Sequence, residues 1–465
     1  MSTLTLLLIL VIGGALLIAG LFRPFLGLLL LMTLHFVQPG EMIPALAPLR
    51  IEFVYGILVI FNLLRTKAAD IKDILRSDPI VRSTLALLAV VLITIPFAIW
   101  RGGAFTAATE LLKVIMLQLL MTFFIDSQDR LRYILWLLVG FMMWFSGSAF
   151  SSYLQGQYYV VNSVQRAEGI NSMVGGPNEL AGLLLALLPF LVALIRCSKR
   201  YFVKLVLLGC GGLTLFVLLL TGARIALIAL IATALFYVFQ SKRKVLNLAV
   251  CLVLALTLWY SLPVQYQRRY LTVENYAEGG KLDASNELRL AIWDAGWRML
   301  LDHPILGVGA GQFATAYGMQ YSGGGHHAWM QPHNLFLQVT CELGLVGLSC
   351  FLLFIGRIWW AIREVLRRHG SPELETNYEF ALACALMLVG VGVISSVSHT
   401  LYRPYWYLLA GMVAANRRIA GSLAQDGTTS SPAPCDEFPE VDFVQKAFDT
   451  VPTRGSGPGW RFRSH

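Results

Sequence analysis

The sequence predicts an all-α, polytopic helical membrane protein with about twelve to thirteen transmembrane helices and one long extramembrane loop. Three observations carry this. The 465 residues are 57% hydrophobic and only 14% charged, with a mean hydropathy of +0.65, whereas soluble domains run about 45–50% apolar and about 25% charged. That excludes a soluble globular enzyme and a disordered scaffold. At roughly 20 apolar residues per crossing, the apolar content would supply about thirteen spans. Thirteen apolar runs are in fact found, at about 4–21, 25–38, 51–64, 83–100, 110–125, 133–150, 179–195, 203–220, 224–240, 245–262, 334–356, 379–398 and 404–416.

The first run has no basic segment before it, so it reads as an uncleaved span rather than a signal peptide. The second, third and last runs are short, which leaves the count between twelve and thirteen. Orientation follows from the basic residues. Arg65, Lys67, Lys72, Arg76 and Arg82 share one connection, and Arg130 and Arg132 the next but one. Further clusters are Arg196 to Lys204, Lys242 to Lys244, Arg357 to Arg368, and Arg417 with Arg418. Every second connection is basic, and the positive-inside rule assigns that set to the cytoplasm. The connections at 39–50, 101–109, 151–178, 221–224, 263–333 and 399–403 are then expected outside. The net charge of +9 belongs to anionic lipid at the cytoplasmic face rather than to nucleic acid. The seven cysteines, Cys197, Cys210, Cys251, Cys341, Cys350, Cys384 and Cys435, form no CxxC pair, so neither a disulfide framework nor a zinc site is expected.

Two domains follow: a transmembrane unit over 1–418, and a polar, Pro/Gly-rich cytoplasmic tail over 419–465 that is expected to be disordered. Within the first, the connection 263–332 is too long to be a bare link. It carries one helical stretch, Asn286 to Leu301, whose apolar stripe is Leu288, Ile292, Ala295, Met299 and Leu300. Asp302-His303-Pro304 ends it. Such a helix lies on the outer membrane surface or roofs a cavity between spans.

The residues able to do chemistry stand at the outer ends of spans. Arg224 opens the ninth run in TGAR, Arg289 lies on the loop helix, and His333 stands in QPHNLFLQ where the loop re-enters the membrane. Helix N-termini carry unpaired N–H groups and favour anions. Two arginines and two such termini at one level make a site for a phosphate or pyrophosphate. Of the three residues only His333 titrates near neutral pH. Each has a plainer alternative: Arg224 snorkels to headgroups, Arg289 is a solvated helix residue, and His333 after Pro332 is a helix-entry residue. Asn334, Asn178, His399 and Arg403 are possible supporting residues. His326 and His327 lack the carboxylate or cysteine that would complete a metal set with His333, so no metal or other cofactor is expected. His35, inside an apolar run, reads as a packing residue. Glu342, roughly 13 Å beyond His333 along a helix, is a buried carboxylate of unassigned role. The first outer loop has a single acid, Glu41, so it lacks a metal-binding DxD pair, and no Walker A motif is present.

TGAR followed by a span resembles a motif of the O-antigen ligase and O-antigen polymerase superfamily. So do RLAIWDAGWRMLLDHPILGVGAGQF (Arg289 to Phe313), HNLFLQVTCELGLVGL (His333 to Leu348) and GPNELAGLLLALLPF (Gly176 to Phe190). The opening RPFLGLLLLMTLHFVQPGE resembles the exosortase-associated O-glycosylation ligase subgroup. The resemblance covers most of residues 20–415. It implies a GT-C-like, metal-independent fold in a bacterial inner membrane, with the long loop periplasmic. The implied reaction takes a glycan from undecaprenyl pyrophosphate to a hydroxyl of lipid A core, a growing polysaccharide or a protein. On matching positions Arg224 and Arg289 would hold the pyrophosphate and His333 would activate the hydroxyl. A lipid-linked oligosaccharide transporter would also need arginines, but would show two similar halves and no large loop with a histidine at its re-entry.

Overall fold

The computed structural model describes residues 3–161, 164–271, 284–322, 329–368 and 372–426; structural statements below concern these. His326, His327 and the tail from residue 427 lie outside the described residues. The helices are α1 (Thr3–Phe22), α2 (Pro24–Val37), α3 (Pro39–Met42), α4 (Ile51–Thr66), α5 (Ala68–Ser77), α6 (Pro79–Thr94), α7 (Arg101–Phe124), α8 (Gln128–Leu154), α9 (Pro177–Cys197), α10 (Tyr201–Leu220), α11 (Arg224–Gln240), α12 (Lys244–Ser261), α13 (Val264–Leu271), α14 (Ala284–Asp302), α15 (Phe313–Ala316), α16 (Leu335–Arg367), α17 (Glu375–Ser395) and α18 (Pro404–Asp426). A two-residue-spaced antiparallel hairpin, β1 (Tyr159–Val161) and β2 (Val164–Arg166), is the one sheet among the described residues. The all-α, multi-pass reading holds. Each of the thirteen apolar runs is a helix, nine segments are long and apolar enough to cross a membrane, and α2, α11 and part of α1 are shorter apolar helices.

Local chemistry sets the boundaries. Proline opens α2, α6, α9 and α18, where a missing N–H costs nothing. Asp78 caps α6 by accepting from the N–H groups of Ile80 and Val81. The expected connection 101–109 is instead the first part of α7, which begins at Arg101; its Gly, Thr and Glu residues lower the hydropathy but not the helicity. The last helix runs to Asp426.

The centre of the bundle is α9 against α17, α7 against α18, α6 against α16, and α11 against α17. Between apolar faces, helices are pinned by a few polar pairs: Asn377 Nδ2 to Asn416 Oδ1 at 2.7 Å, Gln118 Nε2 to Thr84 Oγ1 at 2.9 Å and Ser146 Oγ to Thr214 Oγ1 at 3.1 Å. Such bonds orient helices where lipid gives no hydrophobic drive to associate. By contrast α12 buries none of its apolar window and packs chiefly on α11. His35 is paired rather than merely packed, its Nδ1 lying 2.7 Å from Glu52 Oε1.

The side bearing the 263–332 connection, here called the loop face, is a built structure. The apolar stripe of α14 buries Ile292, Ala295 and Met299 against Val308, Phe313 and Cys341. Cys341 Sγ lies 3.1 Å from the Gly296 carbonyl. Opposite, α16 breaks its helical path at Gly344 (φ 65°, ψ −167°). The segment 304–311 zips onto the break. Val308 N–H donates to the Cys341 carbonyl at 2.8 Å, Gly309 N–H to that of Glu342 at 3.0 Å, and Leu345 N–H to that of Pro304 at 2.9 Å. Backbone groups freed by a helix break must find partners in apolar surroundings, and here the loop supplies them. Glycine is needed on both sides of the seam: a Cβ at Gly307 would meet the Cys341 carbonyl, and one at Gly344 the Ile305 carbonyl.

Candidate functional site

The site is built on the turn Thr221-Gly222-Ala223-Arg224 between α10 and α11. Gly222 has φ 58°, and the Thr221 hydroxyl donates to the Leu218 carbonyl at 2.6 Å. The turn exposes its carbonyls to arginines from elsewhere. Arg166 Nε, at the end of β2, donates to the Thr221 carbonyl at 2.6 Å. Arg269 Nε, on α13, donates to the Gly222 carbonyl at 2.8 Å. Arg224 Nε donates to the Arg269 carbonyl at 3.1 Å. Asn178, at the start of α9, accepts from Arg166 Nη2 at 2.8 Å. Three guanidinium groups thus share one turn. Burial, then the Arg224 charge, lowers the pKa of Arg269; burial, then the Arg269 charge, pushes Arg166 down to about 10. Burial is the larger cause of both shifts, and repulsion from the neighbouring guanidinium adds to it.

A second group surrounds His333. Its backbone is left-handed, at φ 47°, an uncommon state for a residue other than glycine. The preceding Pro332 carbonyl accepts from Trp293 Nε1 at 3.0 Å, which ties the re-entry point to α14. Asn334 caps α16, its Oδ1 accepting from Leu337 N–H at 3.0 Å. Arg289 lies one turn before Trp293. Burial, then the Arg289 charge, lowers the pKa of His333, while Glu179 works to raise it. The His399 ring stands edge-on to His333, with centroids 5.5 Å apart and an interplanar angle of 74°. Burial, His333 and Arg403 push His399 down to about 4. Both imidazoles are therefore held toward the neutral, proton-accepting form.

The structure brings His333, Arg289, His399 and Arg403 into one electrostatic group, and Arg224 and Asn178 into the other. Glu179 joins them, acting on both His333 and Arg166. Sequence reasoning passed over Glu179, Arg166 and Arg269. Glu179 sits in the first turn of α9, where an acid is ordinary helix chemistry. A Cβ at Gly176 would collide with its carboxylate, so the glycine before Pro177 makes room for it. Arg166 and Arg269 lie in connections whose folding the hydropathy pattern does not encode.

Glu342, whose role the sequence left open, is a strut. Its Oε2 accepts from Gly311 N–H at 2.8 Å and from Tyr402 O–H at 2.7 Å. One buried carboxylate thereby ties the 304–311 segment to the turn carrying His399 and Arg403. Glu342→Ala would strand the Tyr402 O–H, at about 1–3 kcal/mol, and leave Gly311 N–H with only the Tyr402 oxygen at 2.8 Å. A fall in the thermal midpoint of the purified protein is expected, with Glu342→Gln losing less.

Residues 209–352, which hold Arg224, Arg289 and His333, match a protein family described as O-Antigen ligase. A curated relative named "Putative polysaccharide ligase", from Rickettsia conorii (strain ATCC VR-613 / Malish 7), is 26% identical over 124 residues, which is 25% of this chain and 28% of that protein. The chain thus aligns with little more than a quarter of the length of that relative.

Proposed function

With its O-antigen ligase segment as the premise, we propose that this chain is a metal-independent membrane glycosyltransferase. It would move a glycan from undecaprenyl pyrophosphate to an acceptor hydroxyl at the periplasmic face. The observation that carries this is an arginine cluster on the Thr221 to Arg224 turn and a histidine held toward its neutral form at the re-entry of the long loop, with Glu179 acting electrostatically on both groups.

The chemistry follows from the residues. Arg224 and Arg289, supported by Arg166 and Arg269, bind the pyrophosphate. His333 accepts the proton of the acceptor hydroxyl. The oxygen then attacks the anomeric carbon, the carbon–oxygen bond to pyrophosphate breaks, and undecaprenyl pyrophosphate leaves with the electron pair. Negative charge grows on the leaving group, and prepositioned guanidinium groups stabilise it more in the transition state than before it. The donor is already activated, so the step needs neither ATP nor metal. A single displacement inverts the anomeric centre.

The direct test is transfer from a purified undecaprenyl-pyrophosphate glycan by the reconstituted protein. No product from any hydroxyl acceptor that the native membrane supplies would sink the reading. Deleting the gene separates the two activities of the superfamily: short surface chains indicate a polymerase, and long chains left on the polyprenyl lipid a ligase. Sidedness is tested separately. In a background without native cysteines, Asp294→Cys should react with an impermeant thiol reagent in intact spheroplasts, and Lys242→Cys only after permeabilisation. The reverse pattern would move the site to the cytoplasm.

A further inference from the structure

We infer that the C-terminal turn of α14 and the turn after it are sunk in the bilayer, so that the loop helix is anchored by lipid and not only by the bundle. The inference rests on the membrane-spanning character of the chain and not on the proposed reaction. The face of α14 opposite its buried stripe changes character along its length: Leu290 and Asp294 lie at its start and Trp297 and Leu301 at its end, with Leu301 64% exposed. Ile305 is 67% exposed; of the exposed polar residues between it and Leu301, Asp302 accepts from Tyr321 O–H at 2.7 Å.

Continuity with the spanning surface identifies what covers it. Leu345 N–H bonds the Pro304 carbonyl, and Val346 N–H the Ile305 carbonyl at 3.4 Å. Leu345 and Val346 are themselves exposed on the outside of α16, as are Leu352 and Leu353 further along it. The depth can be set from the other end. Trp359 and Trp360 lie under Arg363 and Arg417, an aromatic and basic belt of the kind that marks a membrane interface. A hydrocarbon core of roughly 30 Å covers about 20 helical residues. Counted back from Arg357 along the unbroken part of α16, Leu345 is roughly 18 Å from that interface. It therefore lies within the core, short of the loop-face boundary, and Ile305 lies beside Val346. The neighbouring connection agrees: Ile99 N–H bonds the Val308 carbonyl at 3.2 Å, and the flanking Phe97 and Trp100 are exposed. The Asp294–Arg298 ion pair lies along α14, with Asp294 71% exposed. Asp294 lies on the same row as Trp297 and Leu301 but nearer the helix start, so the row meets water at Asp294 and lipid at its C-terminal end, with Arg298 reaching back to its partner.

The test uses the full chain without native cysteines, in nanodiscs of phosphatidylethanolamine and phosphatidylglycerol. A nitroxide is attached to one cysteine at a time, replacing Asp294, Trp297, Leu301 or Ile305. All four side chains lie at the surface, so the label displaces no packed neighbour. Collision with oxygen, which concentrates in lipid, is compared with collision with a water-soluble nickel chelate. The ratio should favour nickel at Asp294 and shift severalfold toward oxygen through Trp297 to Leu301 and Ile305. Nickel access at Leu301 and Ile305 equal to that at Asp294 overturns the inference. So does protection of both positions from both reagents, which contact with a protein partner or a second copy would give.

Discussion

His333→Asn is expected to lower glycan transfer by about two orders of magnitude or more, with donor binding largely kept. Asparagine is the informative replacement. It tolerates the left-handed backbone that His333 adopts, so the loop re-entry is preserved while the titrating nitrogen is lost. His333→Ala should lose at least as much, with added backbone strain. A histidine that merely shapes the helix entry would let the asparagine variant work at near-native rates, and that result would remove the base assignment. Activity of the unmodified protein should survive EDTA.

The pH profile supplies a second readout. Burial and the Arg289 charge lower the pKa of His333 from its ordinary value of 6.5. The base is therefore competent at neutral pH, and transfer should fall only as acid protonates it, at a midpoint below 6.5. Arg289→Ala removes a repelling cation, so the acid limb of its residual activity should move to higher pH. Glu179→Gln removes an attracting anion, so the limb should move to lower pH. Opposite displacements are hard to produce by general damage to the fold.

Arg224→Ala and Arg289→Ala are the other large losses, each expected to reduce turnover by about 10²–10³-fold, the scale for losing one preorganised charge-stabilising donor. Arg224→Lys should recover part of the charge but not the fork that bonds the Arg269 carbonyl. Donor binding and product are both measured with the purified donor. Wild-type rates in both alanine variants would remove the pyrophosphate clamp altogether.

What was legible from sequence divides along physical lines. Each of the thirteen apolar runs became a helix, because burial in lipid demands one kind of local structure. The stripe of α14 was legible for the same reason: Ile292, Ala295 and Met299 recur at helical spacing and are buried together. The arginine cluster was only partly legible. Arg224 announced itself by standing at a helix start, but Arg166 reaches the same turn from 55 residues away and Arg269 from 47, and no periodicity records such a meeting. Glu342 was visible as a costly buried carboxylate, yet its partners, Gly311 and Tyr402, lie 31 and 60 residues away. Glu179 was hidden by being unremarkable where it stands.

The seam between 304–311 and the break in α16 has a consequence for biogenesis. By the time the segment 304–311 has been synthesised, its neighbours at Thr94 and Ile99 are already in the membrane. Those at Cys341 to Val346 and Tyr402 have yet to leave the ribosome. Until they arrive, glycine-rich backbone waits at the membrane boundary with its amides unpaired. A nascent chain stopped before Tyr402 would carry every arginine of the cluster, His333 and the strut Glu342, yet not Tyr402, through which that strut holds the 304–311 segment to the last turn. Assembly of the reactive centre is thus a late event in translation, and a quality-control protease that reads unpaired backbone would have a long window in which to find this chain unfinished.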